Sequence, residues 1–159
     1  MLSIRFAKLE DATLLTTLIR EFAEYDRLGN EAMVVEEDVV RDAFGPKPKF
    51  RALIAEWDAQ PAGFALFFGY YSTWRGAGLY LEDLFVRPDF RGHGIGTALL
   101  AQVAQIARQE NRILLRWAVL HWNKPAIEMY KALGGYFLDD WRDVLLMGDA
   151  LHKLADKAS

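Results

Sequence analysis

The feature that most restricts the fold of this chain is the segment Arg91-Gly92-His93-Gly94-Ile95-Gly96, set between an apolar run and an amphipathic one. Upstream, Leu79 to Val86 reads as a strand, closed by Pro88-Asp89-Phe90-Arg91-Gly92. Downstream, Ile95, Leu99, Leu100, Val103 and Ala107 recur at helical spacing. A strand feeding a helix through glycines puts backbone N–H groups and the positive end of a helix dipole at one point, which suits an anion. Glycine accepts unusual backbone angles there and has no Cβ to hold a phosphate away. On spacing alone, a tight turn whose glycines serve only geometry is an equal alternative.

Two phosphate-binding patterns fail. A P-loop requires Lys after its last glycine, and no Lys follows Gly96. In a dinucleotide fingerprint the third glycine would stand one residue later than Gly96 does. What remains is Arg-x-x-Gly-x-Gly.

The rest of the chain supplies a sheet for this unit. Leu2 to Phe6 alternates like a strand, and Leu15, Leu18, Ile19 and Phe22 predict a helix from Asp11 onward. A shorter helix over Glu36 to Phe44 stops at Gly45-Pro46-Lys47-Pro48. Strands are predicted over Phe50 to Trp57 and Gly63 to Tyr71, joined through Asp58-Ala59-Gln60-Pro61-Ala62, and another over Ile113 to Val119. A helix follows Asn123-Lys124-Pro125 and ends at Gly134-Gly135, with Ala126, Ile127, Tyr130 and Leu133 on its buried face. Tyr136 to Leu138 and Trp141 to Met147 read as a closing pair of strands around Asp139-Asp140, before a short polar helix from Gly148. The order β-α-α-β-β-β-α-β-α-β-β mixes hairpins with strand–helix–strand crossovers. It predicts an α/β (α+β mixed) fold: one domain over residues 1–159, with a central mixed, mostly antiparallel twisted sheet and helices on both faces.

Composition narrows the chemistry. The chain has no cysteine, so thiolate nucleophiles, disulfides and Cys-held metals are excluded. His93, His121 and His152 are scattered without metal-ligand spacing, and no metal is expected. A net charge of -3 offers no footprint for nucleic acid and fits a cationic small molecule better. No run approaches membrane-spanning length and the N-terminus lacks a leader pattern, so no membrane partner and a cytoplasmic location are expected.

With Leu84-Phe85-Val86-Arg87-Pro88-Asp89-Phe90 directly ahead of the glycine turn, the chain resembles the GNAT superfamily of acetyltransferases. Trp122-Asn123-Lys124-Pro125-Ala126 and Met129-Tyr130-Lys131 match that superfamily's second cofactor-contacting segment. Within it, the likeness is greatest to diamine (spermidine/spermine) acetyltransferases and their thialysine-acetylating relatives. It is carried by Ile19-Arg20-Glu21-Phe22-Ala23-Glu24-Tyr25, Leu79-Tyr80-Leu81-Glu82-Asp83, the glycine turn and Trp122-Asn123, and it fades at Asp139-Asp140-Trp141-Arg142. The resemblance implies transfer of an acetyl group from acetyl-CoA to a primary amine of a polyamine- or lysine-like small molecule, by direct attack in a ternary complex, and it implies a homodimer. The other readings are a protein or peptide N-acetyltransferase and a non-catalytic acyl-CoA-binding module.

The resemblance also implies site residues. Leu84, Phe85 and Val86 would pair with the pantetheine arm. Arg91, Gly92, His93, Gly94, Ile95, Gly96 and Thr97 would cradle the pyrophosphate, and Asn123, Ala126 and Tyr130 would complete the cofactor site. Tyr130 would act as general acid toward the departing thiolate; spacing alone favours a core or boundary tyrosine bonding its hydroxyl to a backbone carbonyl. Glu82 would take the amine's proton and Asp83 would hold a distal ammonium. Adjacent strand residues face opposite ways, however, so both enter one pocket only if a bulge re-aims one of them. Tyr25 and Asp26 would offer an aromatic face and a carboxylate to a cationic substrate, and Asp140 more negative charge; a solvated helix end and a turn are the plain alternatives. Asn123 also suits a helix cap. The stretch Tyr70-Tyr71-Ser72-Thr73-Trp74 is a candidate substrate or subunit surface.

Overall fold

The computed structural model describes residues 1–29 and 34–158. Five strands form one sheet in sequence order: β1 (Leu2–Phe6), β2 (Arg51–Trp57), β3 (Gln60–Ser72), β4 (Gly76–Val86) and β5 (Leu114–Arg116). The first four pair antiparallel and β5 pairs parallel to β4, so the sheet is mixed and mostly antiparallel, as predicted. The β2–β3 connection is tighter than the five-residue link expected. Asp58 and Ala59 both take positive φ (48° and 63°), and Trp57 pairs directly with Gln60, the geometry of a two-residue hairpin turn whose twist matches its strands.

The helices α1 (Ala12–Tyr25) and α2 (Glu36–Phe44) follow β1. On α1, Leu15 and Leu18 are fully buried, and with Ala12 and Val39 of α2 they form a core against Phe64, Leu66 and Phe85 of the sheet. Asp11, at the start of α1, is buried and accepts two bonds from the Arg5 guanidinium (2.7 and 2.9 Å) and one from the Lys8 N–H (2.8 Å). Chiefly through Arg5, its carboxyl is held below the usual range. The helix α3 (Ile95–Gln109) buries Leu99, Leu100, Val103 and Ile106 and packs on β3 and β4. Phe67, Leu79 and Leu81, which alternate with the α1-facing residues, are fully buried on that other side.

These elements form one compact unit, Met1–Leu120; a second, His121–Ser159, holds α4 (Lys124–Ala132) and α5 (Gly148–Ala155). Two expectations are corrected. The strand predicted over Ile113 to Val119 is only Leu114–Arg116, because its ladder with β4 ends at Arg116 opposite Tyr80. The closing pair over Tyr136 to Leu138 and Trp141 to Met147 is not strand among the described residues. Its turn does form, with the Trp141 N–H donating to the Leu138 carbonyl at 3.1 Å. The arms do not zip, and Val144 and Leu145 stay 93% and 83% exposed. A short apolar run favours an extended backbone; a strand also needs a neighbouring edge to bond with.

Candidate functional site

The site is organised by one irregularity in β4. Asp83 pairs with Leu66 of β3 while Leu81 pairs with Phe67, which leaves Glu82 as an extra residue without a partner on β3. This is the bulge that two adjacent carboxylates require if both are to serve one site. Two residues beyond Asp83, Phe85 packs on Phe64 and Phe22, so Asp83 lies on the sheet face covered by α1. Glu82 is exposed and Asp83 is half-buried. Removal from water, then the nearby charges of Glu82 and Asp26, push the Asp83 carboxyl up to about 7. Asp26, at the C-terminal end of α1, is also raised by burial. The sequence-predicted acids Asp26, Glu82 and Asp83 are thereby brought to one region, with the end of α1 over the bulge.

Beyond the bulge β4 loses its parallel neighbour. The ladder with β5 stops at Tyr80–Arg116, while β4 runs on to Val86 bonded to β3. Along Leu84, Phe85 and Val86 the edge away from β3 therefore has no ladder among the described residues. An unladdered edge is where an amide-bearing chain can add in strand fashion.

The strand then enters the glycine turn. Gly92 and Gly94 take φ of 82° and 74°, angles that disfavour any side chain, and a Cβ built at either would meet nothing within 4 Å. The space over the turn is open. The first bond of α3 is donated by the Ala98 N–H to the Gly94 carbonyl (3.0 Å), so the N–H groups of Ile95 and Gly96 belong to the donor-rich end of the helix. Ile95 is itself buried and anchors the turn to the core. Thr97 occupies the same first turn. These features fit an anionic phosphate, and they come from backbone rather than side chains.

The side chains of the turn point elsewhere. Arg91 lays its guanidinium 4.3 Å from the Tyr25 ring centroid and 5.9 Å from that of Phe85, while its Nε donates to the Val86 carbonyl at 3.0 Å. His93 packs its ring 4.7 Å from Trp57, with Nδ1 3.1 Å from the Phe90 carbonyl. Arg87, between β4 and the turn, bonds both Glu21 oxygens (2.8 and 2.9 Å) and the Pro61 carbonyl (3.0 Å). Two arginines thus clamp the C-terminal half of α1 to the segment that leads into the turn. The clamp went unpredicted because its partners are 66 residues apart in sequence.

In the second unit Asn123 does cap α4, its Oδ1 accepting from the Ala126 N–H at 3.4 Å. Tyr130 lies one turn after Ala126 and is buried, and its carbonyl accepts from Gly135 at 3.0 Å, where Gly134 (φ 89°) ends the helix. Asp140 is exposed in the Leu138–Trp141 turn. Asn123, Ala126, Tyr130 and Asp140 therefore share one unit, and the other predicted site residues share the first.

One residue was missed. Arg116 was passed over inside an apolar run, although a charge in mid-strand is itself a signal; its Nη1 donates to the Tyr70 hydroxyl at 2.8 Å. Among the described residues no group of three His, Cys, Asp or Glu could hold a metal ion. Also among them, no helix is long and apolar enough to cross a membrane.

Comparison with known proteins identifies the family. Residues 14–135 match the family described as Acetyltransferase (GNAT) family. The chain is 39% identical over 165 residues to thialysine N-epsilon-acetyltransferase of Bos taurus, covering 97% of each chain. It is 33% identical over 138 residues to spermidine/spermine N(1)-acetyltransferase-like protein 1 of Homo sapiens, covering 82% of this chain and 20% of that protein. Among solved structures, an integron cassette protein from the mobile metagenome of V. cholerae superposes with a TM-score of 0.79 at 25% identity, covering 98% of each chain. With β4, the glycine turn and α3 inside the matched span, this chain belongs to the acetyltransferase (GNAT) family.

Proposed function

We propose that this protein transfers an acetyl group from acetyl-CoA to the terminal amine of a small lysine-like substrate, thialysine being the acceptor its relatives are named for. The observation that carries the reading is the course of β4. Within one strand the chain parts from β5, bulges at Glu82, aims Asp83 under α1 and runs into an open anion-binding turn. An acid site and a phosphate site are thereby spaced along a single rigid element.

In this reading Gly92 to Thr97 hold the pyrophosphate through backbone N–H groups, with Arg91 and His93 bracing the turn. Leu84, Phe85 and Val86 bond the pantetheine arm along the open edge, and Asn123 and Ala126 contribute from α4. Acetyl-CoA supplies an activated thioester. The Leu84 N–H polarises its carbonyl oxygen, Glu82 accepts the amine's proton through water, and Tyr130 donates a proton to the departing sulfur. Asp83, Asp26 and Tyr25 receive the cationic end of the substrate, and Asp140 adds negative charge. The chain works as a single acetyltransferase domain over residues 1–159, in the cytoplasm and as a homodimer. Exposed Tyr71 and Trp74, 71% and 74% accessible, are candidates for the contact between copies.

The test is acetyl-CoA turnover across diamines, polyamines, lysine analogues, aminoglycosides and lysine peptides. Turnover of thialysine or lysine analogues is expected. Tight CoA binding with no turnover of any amine would sink the proposal, and activity on peptides alone would redirect it to protein acetylation.

A further inference from the structure

The face of the sheet that carries Asp83 continues past the bulge as an aromatic shelf. Phe68 and Tyr80 are cross-strand partners stacked at 5.4 Å, and Tyr70 lies 6.0 Å from Tyr80. Leu66, Phe68 and Tyr70 alternate along β3, so the shelf and Asp83 share one side. Arg116, the last residue of β5, is the partner of Tyr80 and points to the same shelf. Its guanidinium lies 5.6 Å from the Tyr70 ring centroid and bonds the Tyr70 hydroxyl.

Arg116 is half-buried, yet no carboxylate of the described residues comes within 4 Å of it. A partly desolvated guanidinium with one phenol as its hydrogen-bond partner keeps most of its fork of donors unspent, and that fork matches a carboxylate. Asp83 and Arg116 are separated by two residues of strand rise and one strand spacing, roughly 8 Å between Cα positions. The two side chains flank a stretch of one sheet face along which an extended aliphatic chain can lie.

We propose that Arg116 is a specificity-determining residue that binds the α-carboxylate of an amino-acid acceptor whose terminal amine lies toward Asp83. The inference rests on the transferase reading above and deepens it. One face then presents an acid that docks the terminal ammonium before Glu82 takes its proton, an aromatic floor for the aliphatic chain and a cation for the carboxylate. The same arrangement works against polyamines, because a second ammonium at the far end would meet the charge of Arg116.

The experiment compares kcat/KM for L-thialysine and for its α-carboxamide, using wild-type protein, Arg116→Gln and Arg116→Lys. Wild type is expected to prefer the acid at least about tenfold, the discrimination typical of one charged hydrogen-bonded pair. Arg116→Gln should collapse that preference through a higher KM for the acid, and Arg116→Lys should recover part of it. Equal losses on acid and amide in Arg116→Gln would make the arginine structural and overturn the assignment. A wild-type enzyme that turns over both without preference would overturn it while leaving the transferase reading intact. No turnover of any amine would remove both.

Discussion

The guanidinium of Arg91 lies 4.3 Å from the centroid of the Tyr25 ring, joining the first residue of the glycine turn to the last residue of α1. The motif reading makes Arg91 a cofactor residue, whereas its side chain stacks against Tyr25 at the end of α1 and Phe85 of β4. Arg91→Gln should therefore raise KM for the amine several-fold, and by more than it weakens CoA binding. A stacked cation of this kind is worth about 0.5–2 kcal/mol. Steady-state kinetics in both substrates, with calorimetry for CoA, check the split.

Gly94 caps α3 at φ 74°. Gly94→Ala places a Cβ where the left-handed conformation costs about 1–2 kcal/mol, and it puts that carbon into the open space over the turn. Thermal unfolding should fall by a few degrees, and CoA affinity should drop by more than the stability loss explains. Unchanged CoA affinity would mean that the turn is only a turn.

The Asp83 carboxyl, pushed up to about 7 by burial, gives a pH signature of definite sign. Between about pH 4 and 7 the folded chain holds this proton more tightly than the unfolded chain. The protonated group therefore favours folding, and that contribution is lost as pH rises through 7. Asp83→Asn should leave stability unchanged at acid pH and raise the melting temperature at pH 8 by on the order of 5 °C. If charged Asp83 receives the ammonium, wild-type kcat/KM falls as pH drops through about 7, and this limb disappears in Asp83→Asn. A limb that survives there but vanishes in Glu82→Gln would assign it to Glu82.

Tyr130 is buried on α4. As the proton donor, its hydroxyl is worth about 10²-fold or more in turnover. Tyr130→Phe should lose that factor in kcat while CoA affinity changes by less than about threefold. Equal losses in both would mark a structural tyrosine.

Much of the site was legible because its signals are local. The glycines at 92 and 94 are needed for positive φ, Asn123 for a cap and Pro125 for a first helical turn, and each depends on neighbours a few residues away. Glu82-Asp83 raised the question of a bulge, since no flat strand puts both on one side, and the register contains one there. Arg116 and the Arg87–Glu21 clamp were not legible as site features, since their meaning depends on residues 46 and 66 positions distant. The closing strands were misread for the same reason: residues 144–147 are an apolar run of strand length, but among the described residues they find no ladder.

By itself, then, the sequence determined the helices, where along the chain the five paired strands fall, the turn and the family. These follow from periodicity, backbone dihedral needs and short motifs, which act over a few residues. Tertiary structure alone decided where β4 and β5 part, which carboxylate is desolvated, and which arginine faces the same sheet surface as Asp83. Those outcomes are set by register and burial, and both depend on strands brought together from distant parts of the chain.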